Sequence, residues 1–185
     1  MKKSPRFPLL LGLFVGLSAV LLLLFCAVSA QRTRAAPDLS YRSQAFTLRL
    51  EGNLHGVDVT CDISCESGHL QKITYLAPES MKGLTVTPLE NGEIRVEREE
   101  ISAVFEAEAQ EISGLLLPAR ALLPSEESLR SVQKISTGYL LTLESPGGGA
   151  PITLALGNDG FPSAVWGEGF SFRVAERRDF SSSDP

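Results

Sequence analysis

The sequence predicts an α+β protein: a curled, mainly antiparallel β-sheet with a helical insert packed on its concave face. Three observations carry that expectation. Apolar and polar residues alternate in several stretches, the period of a strand with one buried face. Turns containing Asn and Gly separate those stretches at short intervals, so successive strands pair as hairpins. A single segment in the middle of the chain is instead rich in Ala, Glu and Leu, and favours helix over strand.

The alternation begins at Phe46, with Phe46, Leu48 and Leu50 on one face and Thr47, Arg49 and Glu51 on the other. Asn53 to Gly56 reads as a turn. Val57, Val59, Cys61, Ile63 and Cys65 then alternate with Asp58, Thr60, Asp62 and Ser64 as a second strand. Glu66 to Gly68 turns the chain into a third, Leu70 to Leu76. A Pro78-to-Gly83 connection leads to Thr85–Thr87, and Asn91-Gly92 marks a tight turn before Ile94 and Val96. Residues 102–123 read as helix, broken into at least two pieces by Gly114 and Pro118. Strands return at Tyr139–Leu143, Ile152–Leu156, Ser163–Trp166 and Phe170–Val174, joined by a Pro146–Gly149 loop and an Asn158-Asp159-Gly160 turn. The pattern implies eight to ten strands. A long antiparallel sheet of that kind twists and curls.

Ahead of the domain, Lys2, Lys3 and Arg6 precede a run from Pro8 to Ala30 without a charged side chain. A basic end followed by an apolar core and small residues is the layout of an export signal, which places the remainder outside the cytoplasm, secreted or held at the outer face of the membrane. Three outcomes for residues 1–30 stay open. Val28 and Ala30 suit cleavage before Gln31. The apolar run, at about 20 residues, is also long enough to remain as a membrane anchor. Cys26 is a candidate lipidation site, although Phe25 stands where a lipoprotein signal carries a small residue. The sequence therefore divides into a signal or anchor at 1–30, a polar tether at 31–45, one β-rich domain at 46–176 and a serine-rich tail at 177–185.

Without residues 1–30 the chain loses three basic residues and no acid, so 17 basic against 22 acidic becomes 14 against 22, and the net charge moves from −5 to −8. Such a surface is poorly suited to nucleic acid, whose affinity comes from neutralised phosphates. Membrane contact is expected through the N-terminal segment alone.

Chemical sites are sparse. His55, Cys61, Cys65 and His69 fall close together in sequence, a combination zinc favours. On one strand, however, Cys61 and Cys65 stand about 13 Å apart, too far to share an ion or to form a direct disulfide. They read as apolar fillers on the buried face, with a disulfide through a bulge and a metal site as the competing readings. The histidines sit in turns. No nucleophile elbow is present, Glu97, Glu99 and Glu100 form a solvated face, and no helix follows Gly147–Gly149 to make a phosphate cradle. No catalytic residue, metal or cofactor is assigned, and the expectation is a protein that is not an enzyme.

What remains is apolar surface. Leu48, Leu50, Tyr75, Leu84 and Phe105, with Leu115, Tyr139, Trp166 and Phe170, are the candidate lining of an apolar cavity between sheet and helix. Either they wall a site for an acyl chain or another apolar partner, or they fill the core.

The stretches Leu76-Ala77-Pro78-Glu79-Ser80-Met81-Lys82-Gly83-Leu84 and Asp159-Gly160-Phe161-Pro162, in this order of strands and helix behind an export signal, resemble the LolA/LolB/RseB superfamily. The resemblance spans most of residues 46–175 and rests on turn-and-strand motifs. It implies a half-open β-barrel capped by helix and a non-enzymatic role in the cell envelope. One expectation is a binding protein whose concave face holds a lipid or acyl chain. The other is a protein–protein adaptor or sensor, as in RseB-like or sporulation and germination proteins, with a fully packed core and an envelope protein as partner. In the latter, Trp166→Ala is expected to damage folding.

Overall fold

Every strand of the sheet runs antiparallel to its neighbours, and the chain visits them in one outward and one inward pass. In the computed structural model, which describes residues 37–106, 110–145 and 149–179, the strands are β1 (Phe46–Leu54), β2 (Val57–Glu66), β3 (His69–Ala77), β4 (Thr85–Pro88), β5 (Glu93–Arg98), β6 (Ile101–Glu106), β7 (Leu129–Ile135), β8 (Gly138–Leu143), β9 (Ile152–Gly157), β10 (Pro162–Gly167) and β11 (Phe170–Asp179). One helix, α1 (Gln110–Leu122), lies between β6 and β7. The strand order is β6-β5-β4-β3-β2-β1-β11-β10-β9-β8-β7. The chain thus starts at the centre, meanders to one edge, crosses to the opposite edge through α1, and meanders back to pair β11 with β1. The sheet is not closed, since β6 and β7 remain its two edges.

Alternation sets which face is buried. Leu48, Ile63, Ile73, Val86 and Val96 stand opposite one another across β1 to β5. Val132, Leu141, Leu154, Val165 and Phe172 do the same from β7 to β11. These two ladders and the inward side of α1, with Leu116, Ala119 and Leu122, form one continuous core. Each fully buried Leu or Ile stabilises the fold by about 1.5–3 kcal/mol before conformational entropy is counted.

Several expectations are corrected. Eleven strands appear among the described residues, and residues 102–106, read as helix from composition, belong to β6. A turn at Glu99, with φ 56°, folds them back onto β5 so that Ile94 faces Phe105 and Val96 faces Ala103; strand pairing outweighs the local helical preference. The helix is also continuous through Gly114 and Pro118. Pro118 crowds the carbonyl four residues earlier, which is that of Gly114, the residue best able to adjust. Strand β7 has no counterpart in the sequence pattern. The tether is shorter than expected, because Tyr41 in a 3-10 turn at Ser40–Ser43 is 1% exposed and belongs to the core. At the other end β11 stays paired with β1 through Asp179, so the domain outlasts its expected limit at 176. The signal or anchor at 1–30, Cys26, and most of the Pro146–Gly149 loop and the serine-rich tail lie outside the described residues. No described helix is long and apolar enough to cross a membrane.

Candidate functional site

The predicted cavity lining separates into two groups that face opposite ways. Leu48, Leu50 and Tyr75 are each 0% exposed and Phe170 is also buried. Leu84, Phe105, Leu115 and Tyr139 are half-buried and pack against the same core. Trp166 is different. Its neighbour Val165 points into the core opposite Leu154 and Phe172, so Trp166 points outward and is 39% exposed. Trp166 therefore does not line the interior, and the expectation that its removal damages the core is corrected with it.

Two buried tyrosines tie the helix down across the interior. The Tyr75 hydroxyl donates to the Leu115 carbonyl at 2.7 Å, and the Tyr41 hydroxyl donates to the Leu122 carbonyl at 2.7 Å. Leu122 lies in the last turn, where carbonyls lack helical donors, whereas the Leu115 carbonyl, which faces the Ala119 N–H in the helical ladder, takes the Tyr75 hydroxyl on its second lone pair. Burial pushes both phenols above their ordinary value of 10. The end of the helix is reinforced by a ring cluster in which Tyr41, Phe46 and Phe161 lie with centroids about 6 Å apart, with the Arg177 guanidinium 4.0 Å from the Phe161 ring centre.

Cys61 and Cys65 are buried, free thiols on the core face. Loss of hydration on burial pushes each up to about 12, with the Asp62 carboxylate adding to the effect at Cys61. A thiol so hard to ionise is a poor metal ligand and a poor nucleophile. His55 and His69 are exposed, one in the β1–β2 turn and the other at the start of β3.

On the outward face, an open groove of about 650 Å³ runs over β10, β11, β1 and β2. Strand register builds it from two parallel rows. Trp166, Ser171, Asn53 and Asp58 stand side by side in the first. Ala164, Arg173, Glu51, Thr60 and Ala77 stand side by side in the second. Gly52 is at the floor, where β1 and β11 approach so closely that an added Cβ would lie 1.9 Å from the Ser171 carbonyl oxygen. The polar side chains are partly committed to one another. Arg173 Nη2 pairs with Glu51 Oε2 at 2.8 Å. Asn53 donates from Nδ2 to Asp58 Oδ1 at 3.1 Å and accepts the Gly56 N–H at 2.8 Å. The polar partners of β1 and β2 are visible in the alternation. The phase of β10 is not, because Val165 and Trp166 are adjacent and both apolar, so that hydrophobicity alone assigns the larger to the core.

No protein-family model matches the chain, and no curated protein matches it. Among solved structures, an uncharacterized conserved protein from Thermus thermophilus is similar, with a TM-score of 0.50 at 11% identity over 78% of this chain and 85% of that one. At that identity the likeness concerns the fold alone.

Proposed function

We propose that this chain is a non-enzymatic extracytoplasmic binding protein of the LolA/LolB/RseB type, acting as an envelope adaptor or sensor rather than as an acyl carrier. In this reading the sheet is a half-open barrel whose apolar interior is filled by its own helix, and partners are met from outside. One observation carries the choice between the two roles. The residues that would wall an acyl site, Leu48, Leu50 and Tyr75, are 0% exposed, and Tyr75 is engaged in holding α1 over them. An acyl chain would have to displace a helix bonded at both Leu115 and Leu122.

The test has two arms. Native mass spectrometry of protein purified without detergent is expected to show the bare chain mass, and a fluorescent fatty acid is expected not to bind. In cell envelopes, a photo-crosslinker replacing Ser102 on β6 or Ser131 on β7 is expected to give one discrete adduct. Co-purifying lipid, or no adduct from either edge, would overturn the proposal.

A further inference from the structure

We propose that the outward groove over β10, β11, β1 and β2 is a binding site for a neutral saccharide, with Trp166 as its stacking plate. The dimensions come from the register. Trp166 and Asp58 end a row that crosses four strands, about 14 Å at the spacing of neighbouring strands, and the second row lies about 7 Å away along them. A platform of that size, with a volume of about 650 Å³, accommodates two linked sugar rings and is much larger than a single ion needs. It is carried on paired strands at the centre of the sheet, so the backbone that presents the side chains is in place before any ligand arrives.

The chemistry selects the ligand. An indole left 39% exposed at one corner offers a flat apolar surface with one N–H donor at its edge. The C–H face of a pyranose has the complementary shape and polarity. Along the rows, Ser171, Thr60 and Asp58, which carry two hydroxyls and a carboxylate, line the same groove. Sugar hydroxyls both donate and accept, so they can donate to Asp58 and accept from Ser171, Thr60 and the Trp166 N–H.

Other ligand classes fit less well. Arg173 is already neutralised by Glu51 at 2.8 Å, which leaves the Asp58 charge in excess and disfavours phosphate and nucleotides. A purely apolar segment laid over the groove would strip water from Asp58, Ser171 and Thr60 without replacing their hydrogen bonds, at a cost for each group. The groove is on the face opposite the helix, so the inference goes beyond the adaptor reading and does not depend on whether the interior is filled. Lipid found inside the domain would remove that reading and leave this one standing.

Trp166 is the one tryptophan in the sequence, so indole fluorescence reports this site directly. The full-length protein is titrated with N,N′-diacetylchitobiose, cellobiose and maltose, with inorganic phosphate and a neutral tetrapeptide as controls. At least one disaccharide is expected to shift the emission saturably in the millimolar range, while phosphate and peptide leave it unchanged. Asp58→Asn should weaken that binding about tenfold, the loss expected from one charge-assisted hydrogen bond, at unchanged thermal stability. Trp166→Ala, followed by calorimetry, should weaken it by at least about tenfold, from the lost stacking. The proposal is overturned if no disaccharide moves the emission of the folded protein, if the peptide alone does so, or if saccharide binding survives both substitutions.

Discussion

Replacing Tyr75 by Phe removes one oxygen atom from the protein and tests how the helix is held. The ring stays in a site that is 0% exposed, so packing is conserved and no cavity forms. What disappears is the 2.7 Å bond to the Leu115 carbonyl. That carbonyl keeps its place in the helical ladder, so the loss is that of one ordinary hydrogen bond, about 0.5–1.5 kcal/mol. For a domain of this size, such a loss corresponds to a fall in Tm of about 1–5 °C. Urea unfolding should show a lower midpoint at unchanged slope, since the surface exposed on unfolding is the same. Tyr41→Phe removes the matching bond to Leu122 and belongs to the same range. The two acceptors are seven residues apart, about 10 Å along the helix, so either anchor alone still restrains α1. The double variant should therefore lose more than the sum of the single losses, by about 0.5 kcal/mol or more, with faster amide exchange across Leu116–Leu122. A Tyr75→Phe midpoint within about 0.3 kcal/mol of the parent would refute the reasoning and show that the helix does not depend on its tyrosines.

Gly52→Ala should destabilise by about 3 kcal/mol or more, measured by urea unfolding, because the new Cβ falls 1.9 Å from a backbone oxygen and 2.7 Å from the Phe172 Cα, and neither yields without moving a central strand. Alkaline pH should weaken the fold in a defined window. The unfolded chain ionises Cys61 and Cys65 near their ordinary value of 9, whereas the fold keeps them protonated up to about 12. Their contribution is complete below pH 9 and lost as pH rises to 12, with a slope of about 1.4 kcal/mol per pH unit for each thiol; a flat urea midpoint between pH 9 and 11 would contradict it. Trp166→Ala should change stability by no more than about 0.5–1 kcal/mol, whereas Phe172→Ala on the other face, 3% exposed, should cost about 3–5 kcal/mol.

The fold was legible wherever a strand has one wet and one dry face. β1 and β2 alternate cleanly because both lie at the centre of the sheet, with the apolar core on one side and water on the other, and their hairpin is dictated by that pattern. The edges were not legible. β6 and β7 are exposed along most of their length, so no alternation is imposed on them. β6 carries Ile101 at 76% and Val104 at 50% exposure, a composition that local propensity cannot distinguish from the start of a helix. Of the candidate site, the apolar residues were found but their partition between faces was not, since β10 is short and Val165-Trp166 presents two apolar side chains in succession. One residue of phase in that strand separates a core tryptophan from a surface one.

The curl of the sheet follows from the length of the crossover. Eleven strands at about 4.8 Å spacing would span about 48 Å if laid flat. The chain between Glu106 and Leu129 has to join the two edges. Its helix of 13 residues supplies about 20 Å, and the 3-10 turn at Glu126–Ser128 about 6 Å. The remaining six residues supply at most about 20 Å even when fully extended. The total only matches a flat sheet, and only if every piece points along one line. A helix lying against the β9 and β10 strands cannot satisfy that condition, so the edges must be drawn together by twist and curl. The same short connection stretches α1 over the apolar face and leaves little freedom to lift it. A crossover lengthened by a flexible insert after Ser125 should therefore relax the curl and loosen the helix without altering any side chain of the core, which solution scattering and amide exchange would detect together.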